Sequence, residues 1–466
     1  MDKETFRQYG YEFVDWIADY FDNVRKYPVK STVTPGDIKS RLPGKPPFES
    51  EDMSVIWKDF QEIILPGITH WQHPGWFAYF PANNSPASVL GELLTAGLGA
   101  QCMIWETSPA ATELEEVVIN WLRQMLGLPE GLSGVIQDTA STATLCALLT
   151  AREVATGFSS NDKGLNEKLR VYASEEAHSS IEKGMKIAGY GKNNMCYIQT
   201  DKNYALRPDK LKQAIINDLE AGMKPACVVA TIGTTSSTAI DPLPEIGELC
   251  REYGIWLHVD AALAGTAAIL EEKSELLAGA EYMDSFVFNP HKWLFTNFDC
   301  SAYYVKNSEL LIRTMTINPE YLKSSSDDQV NNYRDWGIQL GRRFRALKLW
   351  FVIREYGVNG LQKIVRDHIK MANLFAGWVN SSDEFELMAP VSTNLVCFRW
   401  NDGFKTEEYL NDFNKTLLRK INDDGNIYLT HTILSGHYTI RMAIGQRTTK
   451  VEDISRAWKI INSAVE

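Results

Sequence analysis

The sequence predicts an α/β fold with a mainly parallel central sheet, a helical arm before it and a small α+β domain after it. Four apolar runs have the length and composition of buried strands: LRVYA (169–173), ACVVATIG (226–233), IWLHVDAA (255–262) and SFVFNP (285–290). Amphipathic helical patterns lie between them, such as 208–222 and 243–253. Strands that alternate with helices at this spacing indicate βαβ crossovers, which make neighbouring strands parallel.

The first predicted unit, residues 1–85, begins with a helix. Phe13, Ile17, Phe21 and Val24 recur at helical spacing, and Trp16 and Tyr20 widen the apolar face. Four prolines between residues 35 and 47 predict extended chain after this helix. An arm with so little core of its own needs a large surface to cover it, so we expect it to pack on a second subunit in a homodimer.

The second predicted unit, residues 86–360, is the large α/β domain that contains the central sheet. The third, residues 361–466, mixes amphipathic helices with short strands, such as 395–400 and 438–444. It is expected to form a smaller α+β domain.

Composition excludes several classes of protein. The chain has 466 residues, 44% of them hydrophobic, and a formal net charge of −12, which argues against a nucleic-acid-binding protein. No apolar run is as long as a membrane span, and the charged first residues do not resemble a signal peptide. The seven cysteines are scattered and show no metal-binding spacing. We therefore expect a cytoplasmic protein with reduced thiols, no membrane partner and no metal.

Polar residues follow several of the predicted strands at their carboxyl ends, where doubly wound sheets bind ligands. Asp260 ends one strand, and Asn289, His291 and Lys292 follow another. Lys292 lies in the apolar stretch FNPHKWL (288–294), and burial favours the neutral amine, which is a nucleophile for carbonyl groups. A lysine whose ammonium reaches water from a strand end is the ordinary alternative.

A second feature is the start of the helix in QDTASTATLCALLTAREVA (137–155). Thr139 and Ser141 stand just before its apolar positions. They serve equally well as an ordinary helix cap or as part of an anion site at the helix N-terminus. The chain contains no GxxxxGK[ST] motif, so a nucleoside triphosphate is not expected here.

These stretches together resemble the group II pyridoxal-phosphate-dependent decarboxylases of fold type I. HVDAA (258–262) precedes NPHKW (289–293) by about thirty residues, a spacing typical of that family. Nearly the whole chain resembles the aromatic-L-amino-acid decarboxylase branch of this family. The matching stretches are THWQHPGWFAYFP (69–81), SPAATELE (108–115), VIQDTASTATL (135–145), EEAHSS (175–180), NPEYLK (318–323) and LGRRFRALKLW (340–350).

The resemblance implies pyridoxal 5′-phosphate as the cofactor and assigns its contacts. Lys292 would attach to the aldehyde, Asp260 would keep the pyridine nitrogen protonated, and His178 would stack on the ring. Further family positions that hold the cofactor are matched by Ala140, Ser141, Thr235, Ala262, Asn289 and His291. For His258 and His291, an ordinary buried histidine with satisfied hydrogen bonds is an equally good interpretation.

The same resemblance implies a lid and an aromatic pocket. Residues 317–335 form a polar stretch typical of a long loop, and its Tyr321 would return a proton to the substrate Cα. The pocket would be formed, partly across a subunit boundary, by Trp71, Tyr79, Phe80, Pro81, Ala82, Met103, Trp105, His178 and Gly341. Ala82 replaces a threonine and Met103 a phenylalanine of the animal enzymes, so substrate preference does not transfer.

The predicted activity is decarboxylation of aromatic L-amino acids, such as tryptophan, tyrosine, phenylalanine or their hydroxylated forms, to arylalkylamines and CO₂. Three alternatives remain open from the sequence. One is an aldehyde synthase that couples decarboxylation to oxidation, and another is a non-catalytic scaffold with the same fold. The third is an aminotransferase, for which Arg441 is the candidate anchor of the substrate carboxylate.

Overall fold

The computed structural model describes residues 1–317 and 329–465, and the elements named below belong to those ranges. The helices are α1 (Lys3–Asn23), α2 (Asp37–Arg41), α3 (Met53–Asp59), α4 (Pro86–Leu98), α5 (Pro109–Leu126), α6 (Ala140–Ala155), α7 (Ser160–Lys163), α8 (Ser180–Ile187), α9 (Pro208–Glu220), α10 (Leu243–Tyr253), α11 (Pro290–Trp293), α12 (Ser308–Met315), α13 (Arg345–Asn380), α14 (Glu407–Asp423) and α15 (Val451–Ser463).

The strands form two sheets. They are β1 (Ser133–Gln137), β2 (Leu169–Ser174), β3 (Met195–Ile198), β4 (Lys224–Thr231), β5 (Trp256–Asp260), β6 (Ser285–Phe288), β7 (Ser301–Val305), β8 (Phe385–Leu387), β9 (Leu395–Trp400), β10 (Thr430–Leu434) and β11 (His437–Ala443). Each of the six strand segments predicted from apolar runs coincides with one of these strands to within a few residues.

The central sheet has seven strands in the order β1-β7-β6-β5-β4-β2-β3. Neighbours from β6 to β3 pair in parallel, and β7 alone runs against the others, between β6 and β1. The predicted α/β fold with a mainly parallel sheet is thus confirmed. Strands β4 and β5 are almost wholly buried because helices cover both sheet faces, which explains their continuous apolar sequence.

The amino-terminal arm lies on the surface of the chain. Helix α1 has no buried residue, and its predicted apolar face is half covered by contacts such as Phe13 and Trp16 against Trp57 of α3. The chain that follows is less extended than its prolines predict, because α2 and α3 form short helices there. Phe6 and Tyr11 of α1 stay exposed, so part of the arm lacks a partner within the described chain.

The carboxyl-terminal part forms a four-stranded antiparallel sheet, β10-β11-β9-β8, with α14, α15 and the second half of α13 packed on it. Helix α13 runs from the large core into this smaller one and is interrupted at Gly357, whose φ is 62°. The predicted boundary at residue 360 therefore falls inside a helix shared by both units, and the division 1–85, 86–360 and 361–466 remains a proposal.

None of the described helices combines the length and the apolar composition that crossing a bilayer requires.

Candidate active site

The candidate site lies at the carboxyl-terminal edge of the central sheet, where β4, β5 and β6 end side by side. Asp260 is the last residue of β5 and pairs in register with Thr231 of β4 and Val287 of β6. Helix α11 starts two residues after β6 and carries Lys292. The amide N–H of Asn289 donates to Ala262 O at 3.0 Å, so the chain after β6 follows the chain after β5.

The Lys292 side chain is held among apolar groups. Its Nζ lies 5.3 Å from the centre of the Phe80 ring. Burial lowers the pKa of Lys292, while the negative charge of Asp260 acts in the opposite direction. The predicted neutral, nucleophilic amine is therefore physically reasonable at this position.

Asp260 and His178 share the electrostatic environment of Lys292. Asp260 is buried and its Oδ1 accepts a hydrogen bond from Ala262 N–H at 3.0 Å. His178 lies after β2, exposed in the single chain, with Nδ1 at 2.7 Å from Ser180 Oγ. Partial burial of its imidazole lowers the pKa of His178, Asp260 raises that pKa and Lys292 lowers it further. The three predicted catalytic groups that the structure describes are thus brought together.

The amino-terminal end of α6 faces the same edge. Thr139 is the residue that caps it, and its hydroxyl accepts from Thr142 N–H. Ala140 and Ser141 are the first helical residues, and Ser141 and Thr235 are both exposed in the single chain. Free N–H groups at the start of a helix favour a bound phosphate. The cap is thus observed, and the anion site at the start of α6 stays a prediction.

The described residues fit a phosphorylated aldehyde cofactor. The site offers an amine whose pKa is lowered by burial, a buried carboxylate on the neighbouring strand and a helix N-terminus. The hydroxyl of Thr231, in register with Asp260, is buried without a hydrogen-bond partner among the described residues. An unpartnered buried hydroxyl at this edge indicates that a further polar group belongs there.

Asn289 and the two neighbouring histidines are held by protein partners. Asn289 Oδ1 accepts from Ser301 Oγ at 2.6 Å. His291 Nδ1 accepts from Cys300 N–H at 2.9 Å, and burial lowers the pKa of His291 to about 3. His258 lies between Ser285 and Thr144, and burial lowers its pKa to about 4. Both imidazoles are therefore neutral, and their hydrogen bonds favour the ordinary structural role.

Part of the predicted substrate pocket adjoins Lys292. The Phe80 ring lies between Lys292 and the Arg441 guanidinium, whose carbon is 5.2 Å from the ring centre. Pro81 packs against Gly445, where a Cβ atom would approach Pro81 Cγ to 2.7 Å. Ala82 O accepts from Gln72 Nε2 at 2.7 Å. Phe80 therefore lies beside the amine, and Pro81 and Ala82 contact Gly445 and Gln72.

Trp71 and Tyr79 lie further out. Their rings stack with centres 5.9 Å apart, and Tyr79 is 52% exposed. Tyr79 has a φ of 52°, which is rare for a side chain with a Cβ, and Thr430 Oγ1 holds its amide N–H at 3.1 Å. The two rings therefore form an outer rim in the single chain.

Met103, Trp105 and Gly341 form a separate group. Met103 O accepts from Arg334 N–H at 2.8 Å, and a Cβ on Gly341 would lie 3.3 Å from Gln101 Nε2. Their hydrogen bonds tie residues 101–105 to residues 332–342 and none of them joins the Lys292 group. Tyr321 lies outside the described residues.

The sequence did not predict the contacts that two residues of the site make. Asn83 is buried and its side chain bonds to the main chain of Lys292, as described further below. Arg441 donates to the carbonyl oxygens of Thr235 and Ser236 at 2.6 and 3.0 Å. The sequence shows only an asparagine among small residues and an arginine in a strand, so neither pattern signals these contacts.

Comparison with known proteins decides the family. A family model described as the pyridoxal-dependent decarboxylase conserved domain matches residues 35–401. The chain belongs to this family. It is thus a decarboxylase that uses pyridoxal phosphate, as the strand-end lysine and aspartate predicted.

Curated relatives cover almost the whole chain. Tyrosine decarboxylase 4 of Petroselinum crispum is 43% identical over 99% of this chain and 93% of its own length. A phenylacetaldehyde synthase of Arabidopsis thaliana is 45% identical over 99% of this chain and 96% of its own length.

Solved structures agree in fold. The structure of Oryza sativa TDC with pyridoxal phosphate and tryptamine superposes with a TM-score of 0.97 at 37% identity, covering 100% of this chain and 98% of that one. Catharanthus roseus tryptophan decarboxylase in complex with L-tryptophan gives a TM-score of 0.94 at 41% identity, with the same coverage.

Proposed function

We propose that this decarboxylase acts on aromatic L-amino acids, tryptophan among them, and releases the arylalkylamine and CO₂. The observation that carries the proposal is the position of the Lys292 amine, which lies over the Phe80 ring and is influenced by the charge of Asp260. An aromatic wall beside the reacting amine suits a substrate with an aromatic side chain. Relatives named tyrosine and tryptophan decarboxylases support the same substrate class.

Each residue at the sheet edge has a distinct role in this proposal. Bound pyridoxal phosphate supplies an electron sink for the electrons left when CO₂ departs. Lys292 would hold the cofactor through its amine, whose lowered pKa favours the neutral form. Asp260 holds a proton on the pyridine nitrogen, because a buried carboxylate favours a protonated partner within hydrogen-bonding reach. Ser141, Thr235 and the start of α6 hold the phosphate.

His178 and Tyr321 complete the reaction. His178 orients the substrate over the ring, and its lowered pKa keeps the imidazole neutral near pH 7. Tyr321 would return the proton to Cα, as the family resemblance implies. His178 is the other group placed to deliver this proton.

The substrate side chain enters between the Phe80 ring and groups contributed by a second subunit. Met103, Trp105 and Gly341 belong to the segments 101–105 and 332–342, which are hydrogen-bonded to each other. The preceding helix α4 exposes a stripe at helical spacing, formed by Leu90, Leu93, Leu94 and Leu98. An apolar stripe that continues into the 101–105 segment favours a homodimer in which this segment reaches the partner's site.

The cytoplasm is the proposed location. All seven cysteines are free, and none of them pairs with another in a disulfide. Unpaired thiols in a chain of this size are typical of a reducing compartment.

Specific observations disfavour one alternative activity and support another. Arg441 is engaged by the Thr235 and Ser236 carbonyl oxygens and by Thr430 Oγ1, so it is a poor anchor for a substrate carboxylate. This disfavours an aminotransferase. An aldehyde synthase remains the second candidate, because relatives of that name are as similar to the chain as the tyrosine decarboxylases are.

A product assay tests the proposal. The holoenzyme is incubated with tryptophan, tyrosine and phenylalanine, and amine, aldehyde, keto acid and hydrogen peroxide are measured together. We expect amine and CO₂ in equal amounts. Aldehyde with peroxide as the main products would establish the synthase instead, and keto acid would establish the aminotransferase. Sedimentation of the same preparation tests the dimer, which a fully active monomer would refute.

A further inference from the structure

Asn83 lies between the turn that carries Lys292 and the loop that follows β11. Its side chain is 1% exposed. Asn83 Nδ2 donates to Lys292 O at 2.8 Å and to Gly445 O at 2.7 Å, and its Oδ1 accepts from Arg447 N–H at 2.9 Å. Both amide hydrogens and one oxygen lone pair are therefore used, and each partner is a main-chain group.

The carbonyl of Lys292 needs a partner from outside its own helix. Helix α11 has only four residues and ends one residue after Lys292. In a continuing helix, Thr296 N–H would bond to this carbonyl, but it donates to Pro290 O at 3.4 Å instead. A buried carbonyl without a partner is costly, so the Asn83 amide replaces the missing turn of helix.

A second contact ties the neighbouring residue to the same loop. Trp293 Nε1 donates to His368 Nδ1 at 2.9 Å, and the His368 ring also bonds to the main chain of Gln446. Loop 445–447 thus contacts both Lys292 and Trp293 through one buried side chain each. Gly445 permits this approach, because a Cβ there would lie 2.7 Å from Pro81 Cγ.

From this geometry we infer that Asn83 is a positioning residue for the reaction, which fixes the main chain of Lys292 against loop 445–447 of the smaller carboxyl-terminal unit. The inference rests on the proposed role of Lys292. A nucleophile on a flexible four-carbon side chain is placed only as well as its main chain is held. Asn83 does not touch the reacting atoms, so it acts through Lys292.

Two substitutions test the inference. Asn83→Ala removes all three hydrogen bonds. Asn83→Asp keeps the shape and the acceptor for Arg447 N–H, but turns a carboxylate oxygen towards two carbonyl oxygens. In both, we expect kcat to fall by about tenfold to a hundredfold with a much smaller change in KM, because the amine is misplaced rather than lost. The rate at which added pyridoxal phosphate regains its lysine-bound visible absorbance in the apoprotein should fall as well.

Asn394→Ala is the matched control. Asn394 is also fully buried, and its Nδ2 donates to Ile444 O at 3.1 Å, one residue before the same loop, without contact to Lys292. We expect its Tm to fall as in Asn83→Ala, while kcat and the reattachment rate stay within about twofold of wild type.

Three outcomes decide the matter. If Asn83→Asp keeps the kcat of the wild type and its rate of cofactor reattachment, the inference is overturned. This test remains valid even if Asn83→Ala does not fold. Equal losses of kcat in Asn394→Ala and Asn83→Ala would also overturn it, because they would show a general effect of stability. The reattachment rate is measured without substrate, so it tests this inference separately from the proposed function. A wild-type enzyme that binds pyridoxal phosphate but makes no arylalkylamine would refute the proposed function and leave this inference standing.

Discussion

The buried ion pair between Glu115 of α5 and Arg342 is a sensitive point for the stability of the fold. Arg342 Nη2 lies 2.6 Å from Glu115 Oε1, and the two side chains are only 7% and 3% exposed. Both groups also bond to the main chain of Ile136 in β1. Arg342 O accepts from Cys102 N–H at 3.0 Å, so the pair anchors the segment that continues to Met103.

The magnitude follows from burial. Removing one partner leaves the other charge buried and unpaired, which costs about 3–5 kcal/mol of unfolding free energy. We expect Glu115→Gln to fall at the low end of this range, because its amide oxygen still accepts from Ile136 N–H. Arg342→Met should fall at the high end, because it also loses the bond to Ile136 O. The double variant leaves no unpaired charge, so its loss should be smaller than the sum by about 1–3 kcal/mol.

Urea denaturation followed by circular dichroism measures these three losses. It is done at one protein concentration, because subunit association would contribute to the apparent stability. The exposed pair Arg366–Glu272 is the control: its side chains are 37% and 49% exposed, and its coupling should be about 0–1 kcal/mol. Additive losses at Glu115 and Arg342 would refute the argument from burial.

Four further predictions concern the site itself. Lys292→Ala should fold but lose the visible absorbance of bound cofactor and all turnover; cofactor still fixed to the protein by borohydride would contradict this. Tyr321→Phe should keep CO₂ release while oxygen-dependent aldehyde replaces the amine, and an unchanged amine yield would point to another proton donor. Gly341→Ser should lower kcat/KM for tryptophan more than for tyrosine, because the added side chain takes room from a bicyclic ring; equal losses would exclude a role in ring size. Burial lowers the pKa of His258 and His368 from 6.5 to about 4, so between these pH values the unfolded chain binds more protons than the folded one. Tm should therefore fall as the pH drops from 6.5 towards 4. A constant Tm in this range would contradict the burial of these two histidines in the neutral form.

The sequence alone predicted four of the seven strands of the central sheet and the residues at the centre of the candidate site. Strands buried on both faces are continuous apolar runs, so β4 and β5 are recognisable without any tertiary information. Parallel strands bring their carboxyl ends to one edge, so Asp260 and Lys292 could be placed together from their positions after two strands. The family resemblance added their roles, and the family itself is confirmed.

Only the tertiary structure decided which residues hold the site in place. Asn83 meets Lys292 across 209 positions and Gly445 across 362, and Arg441 meets Thr235 across 206. The tertiary structure also places Met103 and Gly341 in a group of contacts separate from that of Lys292 within one chain. Periodicity in a sequence reports which face of an element is buried, because burial acts on each residue's own hydrophobicity. A hydrogen bond between distant residues depends on how whole elements pack, and it leaves no local pattern from which it could be predicted.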